Sequence, residues 1–270
     1  MTLSDKAVPY SVGRRMEVGA RMLPVTVVYA VLLLVVSVTL TVLGPHTREL
    51  VVSQMSTNLH NLAHGHWHTL VGSAFVNEGG EVYFWLPGLV SLLALGELAW
   101  RSKGLLVTFA VGHVGATLIV AEGLVAAIKT GWLPVAVARA NDVGTSYGAV
   151  CILGALTASI PLRWRPVWIG WWLGTAVMAA VGADFTAIGH VVALLLGIGL
   201  SFRLRSITHW APTHVALLAV GASFGWFMLS GSSPVALAGG LTGALLAITV
   251  SRFGARTPID AGTPDLIVAH

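Results

Sequence analysis

Eight apolar stretches recur along this chain, at 24–43, 82–99, 105–127, 143–160, 166–181, 185–202, 213–230 and 234–250. Each is close to the roughly 20 residues that a helix needs to cross the hydrocarbon of a bilayer. Inside lipid a backbone finds no water, so a spanning segment has to close its own hydrogen bonds as a helix. Composition leads to the same place. Only 10% of the residues are charged, where a soluble domain carries about 25%, so there are too few polar groups to cover a soluble surface. No hydrophilic stretch is long enough to fold separately. The pattern predicts an all-α polytopic membrane protein.

The basic residues give this pattern a direction. Lys6, Arg14, Arg15, Arg21, Arg101, Lys103, Arg163, Arg165, Arg203, Arg205, Arg252 and Arg256 fall on one side of an eight-span topology, and only Arg48, Lys129 and Arg139 on the other. Basic loops stay in the cytoplasm, which predicts a multi-pass protein of the cell membrane with both termini cytoplasmic. The net charge of +4 then serves orientation, and no nucleic-acid partner is expected. Trp100, Trp164, Trp168 and Trp210 group near the inner boundary, with Trp85 and Trp132 near the outer one, as interfacial belts do. No small-x-small cleavage site follows the first span, so it reads as a retained helix. The single cysteine, Cys151, lies in a span and forms no internal disulfide.

Four regions follow: a cytoplasmic tail over 1–23, a membrane core over 24–205, two further spans within 206–252, and a disordered cytoplasmic tail over 253–270. The core includes a long outer loop, 44–81. There Leu59, Leu62, Ala63, Trp67, Leu70, Val71 and Ala74 recur at helical spacing, which predicts an amphipathic helix on or partly in the outer membrane surface. His60, His64 and His68, with His66 nearby, form its wet face. No cysteine or well-spaced carboxylate completes a metal site beside them, and neither a metal nor a cofactor is expected.

Polar groups within membrane spans are costly, and each is a functional candidate until it finds a structural partner. The candidates are Glu97, His113, Glu122, Ser146, Asp184 and His190, with Asn141 and Asp142 at a helix mouth. Glu97 lies four residues before Arg101, which predicts a helix-end pair. His113 is expected to make one structural hydrogen bond. Ser146 and His190 each lie a few residues into a span running inward, so at about 1.5 Å per residue they share a depth near the outer face. A serine hydroxyl becomes a nucleophile when a base takes its proton, and histidine suits that task near neutral pH. Gly144 and Gly148 flank Ser146, and Ala193 and Gly197 follow His190 on its own face. Such small residues are expected to let the fourth and sixth spans approach until the two side chains bond.

Gly144-Thr145-Ser146-Tyr147, together with Gly189-His190 and Gly197, resembles the rhomboid intramembrane serine proteases. The long outer loop and the acidic Glu97 near Gly104 fit the same pattern, which covers about residues 24–205. The resemblance implies a six-helix core, with two additional C-terminal transmembrane helices here. It implies cleavage of transmembrane segments of membrane-protein substrates near the outer face, with Ser146 as nucleophile and His190 as general base. Backbone N–H groups near Thr145 and Ser146 would hold the oxyanion. Rhomboids often place a histidine and an asparagine at the start of the second helix, where this chain reads Glu81-Val82-Tyr83-Phe84-Trp85. The aromatic that often packs on the catalytic histidine, four residues after the serine, is Val150 here, and Tyr147 stands where glycine is usual.

A catalytically inactive rhomboid-like protein that binds or chaperones transmembrane segments is the second reading. A transporter would need inverted repeats or broken helices in matching halves, and none is visible. Gly144-Thr145-Ser146-Tyr147-Gly148 also spells the nucleophile elbow of α/β-hydrolases, but that motif needs a preceding strand, and a polar loop is expected there.

Overall fold

The computed structural model describes residues 23–77, 82–181 and 185–254. The basic N-terminal residues up to Arg21, and Glu81, Asp184, Arg256 and the C-terminal tail lie outside them. The described residues form helices and connecting turns, with no strand among them. The chain enters as α1 (Pro24–Leu43) and continues through three short helices, α2 (Pro45–Met55), α3 (Leu59–Ala63) and α4 (Thr69–Gly72). A long bent helix, α5 (Val82–Ala110), runs through a π-helical turn (Val111–Gly115) into α6 (Ala116–Lys129). Then follow α7 (Ser146–Ala155), α8 (Arg165–Ala180), α9 (Phe185–Ser201), α10 (Pro212–Ser230) and α11 (Pro234–Gly254).

Four helices are long and apolar enough to cross a bilayer alone: Pro24–Leu43, Val82–Lys129, Pro212–Ser230 and Pro234–Phe253. The second is 48 residues long and holds two of the expected spans, because Arg101 (φ 62°) breaks α5 into two limbs. Leu105 of the second limb reaches back to Gly96 of the first. Large apolar side chains such as Val28, Val35 and Val42 on α1 and Leu241 and Leu245 on α11 point outward and are exposed. Apolar surface on this scale is stable only against lipid. The protein is a multi-pass membrane protein.

The shortest of the core helices stands at its centre. Every residue of α7 from Tyr147 to Ala155 is buried, so protein rather than lipid surrounds it and bilayer thickness does not set its length. Leu89, Leu92 and Leu95 of α5, Ile152 and Leu153 of α7, and Leu194 of α9 are fully enclosed around it.

Glycine sets the close contacts. A Cβ at Gly197 would strike the Cys151 carbonyl, and one at Gly154 would lie 2.5 Å from the Leu194 oxygen. Here α7 and α9 touch backbone to backbone. The two C-terminal helices use the same device. Gly170 and Gly174 of α8 face Gly243 and Gly239 of α11 at the level of their carbonyls, while α10 lays Gly221 over Leu92 and Gly225 over Leu153. Thus α10 closes the bundle against α5 and α7, and α11 clasps α8.

Glu97 corrects one expectation. It does not pair with Arg101, which is exposed. Its carboxylate accepts hydrogen bonds from Val25 N (3.1 Å), Thr26 N (2.8 Å), Thr26 Oγ1 (2.7 Å) and Ser102 Oγ (2.6 Å). The first N–H groups of a helix lack partners within it, and a buried anion there also meets the positive end of the helix dipole. Glu97 therefore ties α1 to the bend of α5. Glu97→Ala should lower stability by about 2–3 kcal/mol, since it strands buried donors. Thermal unfolding of the purified protein in detergent reads this out, with Glu97→Gln expected to lose less.

Candidate active site

The segment leading into α7 is fixed from outside itself. Asp142 N donates to Ser56 Oγ (2.8 Å), and Thr57 N and Thr57 Oγ1 each donate to Asp142 O (2.9 Å). Gly144 N donates to Ser73 O (2.9 Å). Gly144 sits at φ +115° with open space around its missing Cβ. Its role is a turn that L side chains rarely adopt, and not the close helix approach expected from its spacing. Gly148 does pack closely, but on Phe109, away from α9. No strand precedes the motif, in keeping with rejection of the hydrolase elbow.

The expected amphipathic helix of the 44–81 loop is also corrected. Gly65 at φ +79° breaks the run, and separate short helices replace it. Several of its polar residues turn inward and some of its apolar ones outward, while His60, His64, His66 and His68 stay exposed. Asn58, Asn61, Thr69 and Ser73 are buried, whereas Trp67 and Val71 are exposed at 61% and 66%. Lipid rewards this inversion, because buried polar groups find partners and apolar ones find acyl chains. Asn61 Nδ2 donates to Ser53 O (3.0 Å) and Ser56 O (2.8 Å). Ser73 Oγ meets His113 Nε2 at 3.1 Å, the structural hydrogen bond expected of that histidine.

Ser73 thus links the third span to the motif: its hydroxyl meets His113 and its carbonyl holds Gly144. Ser73→Ala should cost about 1–3 kcal/mol by stranding a buried imidazole nitrogen while leaving the Gly144 bond intact. A denaturation midpoint compared with wild type checks this. Sequence reading passed over Ser56, Thr57 and Ser73. The only signal is that Ser56-Thr57-Asn58 interrupts the helical periodicity of the loop.

Thr145 precedes the first residue of α7, Ser146, and Ala149 N donates to Thr145 O (3.0 Å). The next backbone N–H groups open the helix without intrahelical acceptors, as a developing oxyanion requires. Ser146 itself is half-buried. Successive residues of a helix point about 100° apart, and it is Tyr147 that faces α9. A Cβ on Gly189 would strike the Tyr147 ring, and the His190 imidazole meets that ring edge-on, with centroids 5.4 Å apart and planes at 82°. These contacts bring the residue next to Ser146 against the His190 ring. Ser146 instead shares its side of α7 with Val150 and with Leu153, which lies under Gly225 of α10.

The remaining candidates disperse. Glu122 and Asn141 are exposed and Asp142 is held by Ser56 and Thr57. The His60 and His64 rings meet at a tilt with centroids 4.3 Å apart, with His66 and His68 following. No group of three metal donors exists among the described residues. Desolvation of the His60 ring, then the charges of His64, Arg139 and His66, hold its pKa below the usual histidine range.

A family model described as rhomboid-like protein matches residues 19–209. No curated protein matches the chain, and no solved structure does.

Proposed function

Because the chain belongs to the rhomboid-like family, we propose that it is an intramembrane serine endopeptidase that cuts transmembrane segments of membrane proteins. In this reading the face bearing the 44–76 segment is the outer one, and both termini are cytoplasmic. His190 takes the proton of Ser146 as the oxygen attacks the scissile carbonyl. N–H groups at Thr145 and Ser146 receive the oxyanion, where one donor is typically worth about 10²–10³ in rate. His190 then protonates the leaving amine, and water hydrolyses the acyl-enzyme. Gly144, Gly148, Gly189 and Gly197 support the geometry.

The observation that carries this reading is the Tyr147 ring on His190. In this reading the aromatic support missing at Val150 comes from the residue beside Ser146. Catalytic hydrogen bonds are often long or misaligned until substrate binds. A fluorophosphonate probe should label the purified protein, and Ser146→Ala should abolish labelling. Labelling that survives in the variant would overturn the nucleophile.

A second reading, drawn from the departures at 81–85 and Val150 from the rhomboid pattern, is that the protein holds transmembrane segments without cutting them. Wild-type protein that binds such segments and never reacts with the probe would establish it.

A further inference from the structure

The face of the bundle opposite the 44–76 segment carries a feature that neither Ser146 nor His190 lines. A groove of about 610 Å³ runs from the bend of α5 to the chain leaving α9, and Arg101, Lys103 and Arg205 line it beside apolar Leu98, Val107 and Leu204. A second groove of about 540 Å³ climbs from it between the π-helical turn, α6 and α9, with Arg203 at its mouth. Leu200 lines both, so the two adjoin at that side chain. Apart from Arg203, the upper groove is lined by apolar side chains and Gly199. A Cβ at Gly199 would meet nothing within 4 Å, which leaves the floor of the groove open.

Three observations separate this from a scatter of positive loop charges. Among the described residues no carboxylate lines either groove, and Glu97, the nearest acid in sequence, is turned inward onto Thr26 and Ser102. Trp100 Nε1 donates to the Arg205 carbonyl (3.0 Å), stapling the two cation-bearing segments together. Arg101 is held at φ 62°, a conformation that costs a non-glycine residue energy.

We propose that this paired groove binds one anionic phospholipid, its phosphate among Arg101, Lys103, Arg203 and Arg205 and one acyl chain along Gly199 toward Val111. A zwitterionic lipid offers the same chain but no net charge, and the groove discriminates against it. The inference stands apart from the proposed proteolysis, because the lipid sits at the other end of the bundle.

Native mass spectrometry of the full chain, titrated with phosphatidylglycerol or phosphatidylcholine of identical acyl chains, tests it. One phosphatidylglycerol should be retained per chain, and phosphatidylcholine should not. Each cation removed should weaken binding about fivefold, so Arg101→Gln with Arg205→Gln should lose about 25-fold. Gly199→Phe should weaken binding with every charge in place, and the open space at that position lets it fold. Arg163→Gln, on the same face but outside the groove, should bind as wild type does. Equal retention of phosphatidylcholine, undiminished binding by Gly199→Phe, or an equal loss in Arg163→Gln would each reduce the effect to diffuse surface attraction and overturn the site.

Discussion

Gly197→Leu should leave little folded protein, while Gly199→Leu, two residues further along the same helix, should fold like wild type. At Gly197 a Cβ would meet the backbone of α7 itself: the Cys151 carbonyl oxygen, the Cys151 carbon at 2.8 Å and Ala155 N at 3.0 Å. A flexible side chain can swing aside, but a helical backbone in a bundle centre cannot. The helices must part, and parting them opens the most enclosed layer of the protein, where Ile152, Leu153 and Leu194 are fully buried. Without a hydrophobic effect between helices in lipid, close packing is the main attraction holding them. The cost should therefore exceed about 4 kcal/mol, a large share of the stability of a typical protein. Size exclusion and thermal unfolding in detergent give the comparison. A Gly197→Leu protein that elutes and melts like Gly199→Leu would mean that α7 and α9 are not in backbone contact.

What could be read without coordinates, and what could not, follows from how each feature is encoded. The spans are written in local composition, because lipid requires about 20 apolar residues in a row; hence helices occupy each of the eight apolar stretches. The chain also wrote its core glycines plainly. Which partner each glycine meets was not legible. Gly148 and Gly197 share a spacing with many small residues, yet one faces Phe109 and the other Cys151. Partner choice depends on helix rotation, and one residue of error turns a side chain by about 100°. That is why Tyr147, an apparent departure, emerges as the residue on the His190 imidazole. Glu97 was misread for a related reason. A nearby arginine in sequence is a weaker attraction than two backbone donors 71 or 72 residues away. The 44–76 segment was read as one surface helix, but Gly65 at φ +79° interrupts the run and short helices replace it.

His190→Ala should slow fluorophosphonate labelling of Ser146 by about 10²–10⁴-fold, the usual contribution of a general base, and Tyr147 variants should sort by ring rather than by hydroxyl. The imidazole can accept the serine proton only when one nitrogen points across to α7. The Tyr147 ring edge-on to His190 restricts the orientations open to it, and Gly189 provides the space in which that ring lies. Tyr147→Phe keeps ring and contact and should label at near the wild-type rate. Tyr147→Leu keeps apolar bulk but removes the flat surface, and should label more slowly while melting within a few degrees of wild type. The pH dependence separates chemistry from packing. With His190 as base, the labelling rate rises with pH as the imidazole loses its proton, and in His190→Ala that rise disappears while a slow residual rate persists. A His190→Ala protein that labels at the wild-type rate with an unchanged pH profile would leave Ser146 without its base. The hydroxyl at the head of α7 would then be a packing group, and the chain a holder of transmembrane segments.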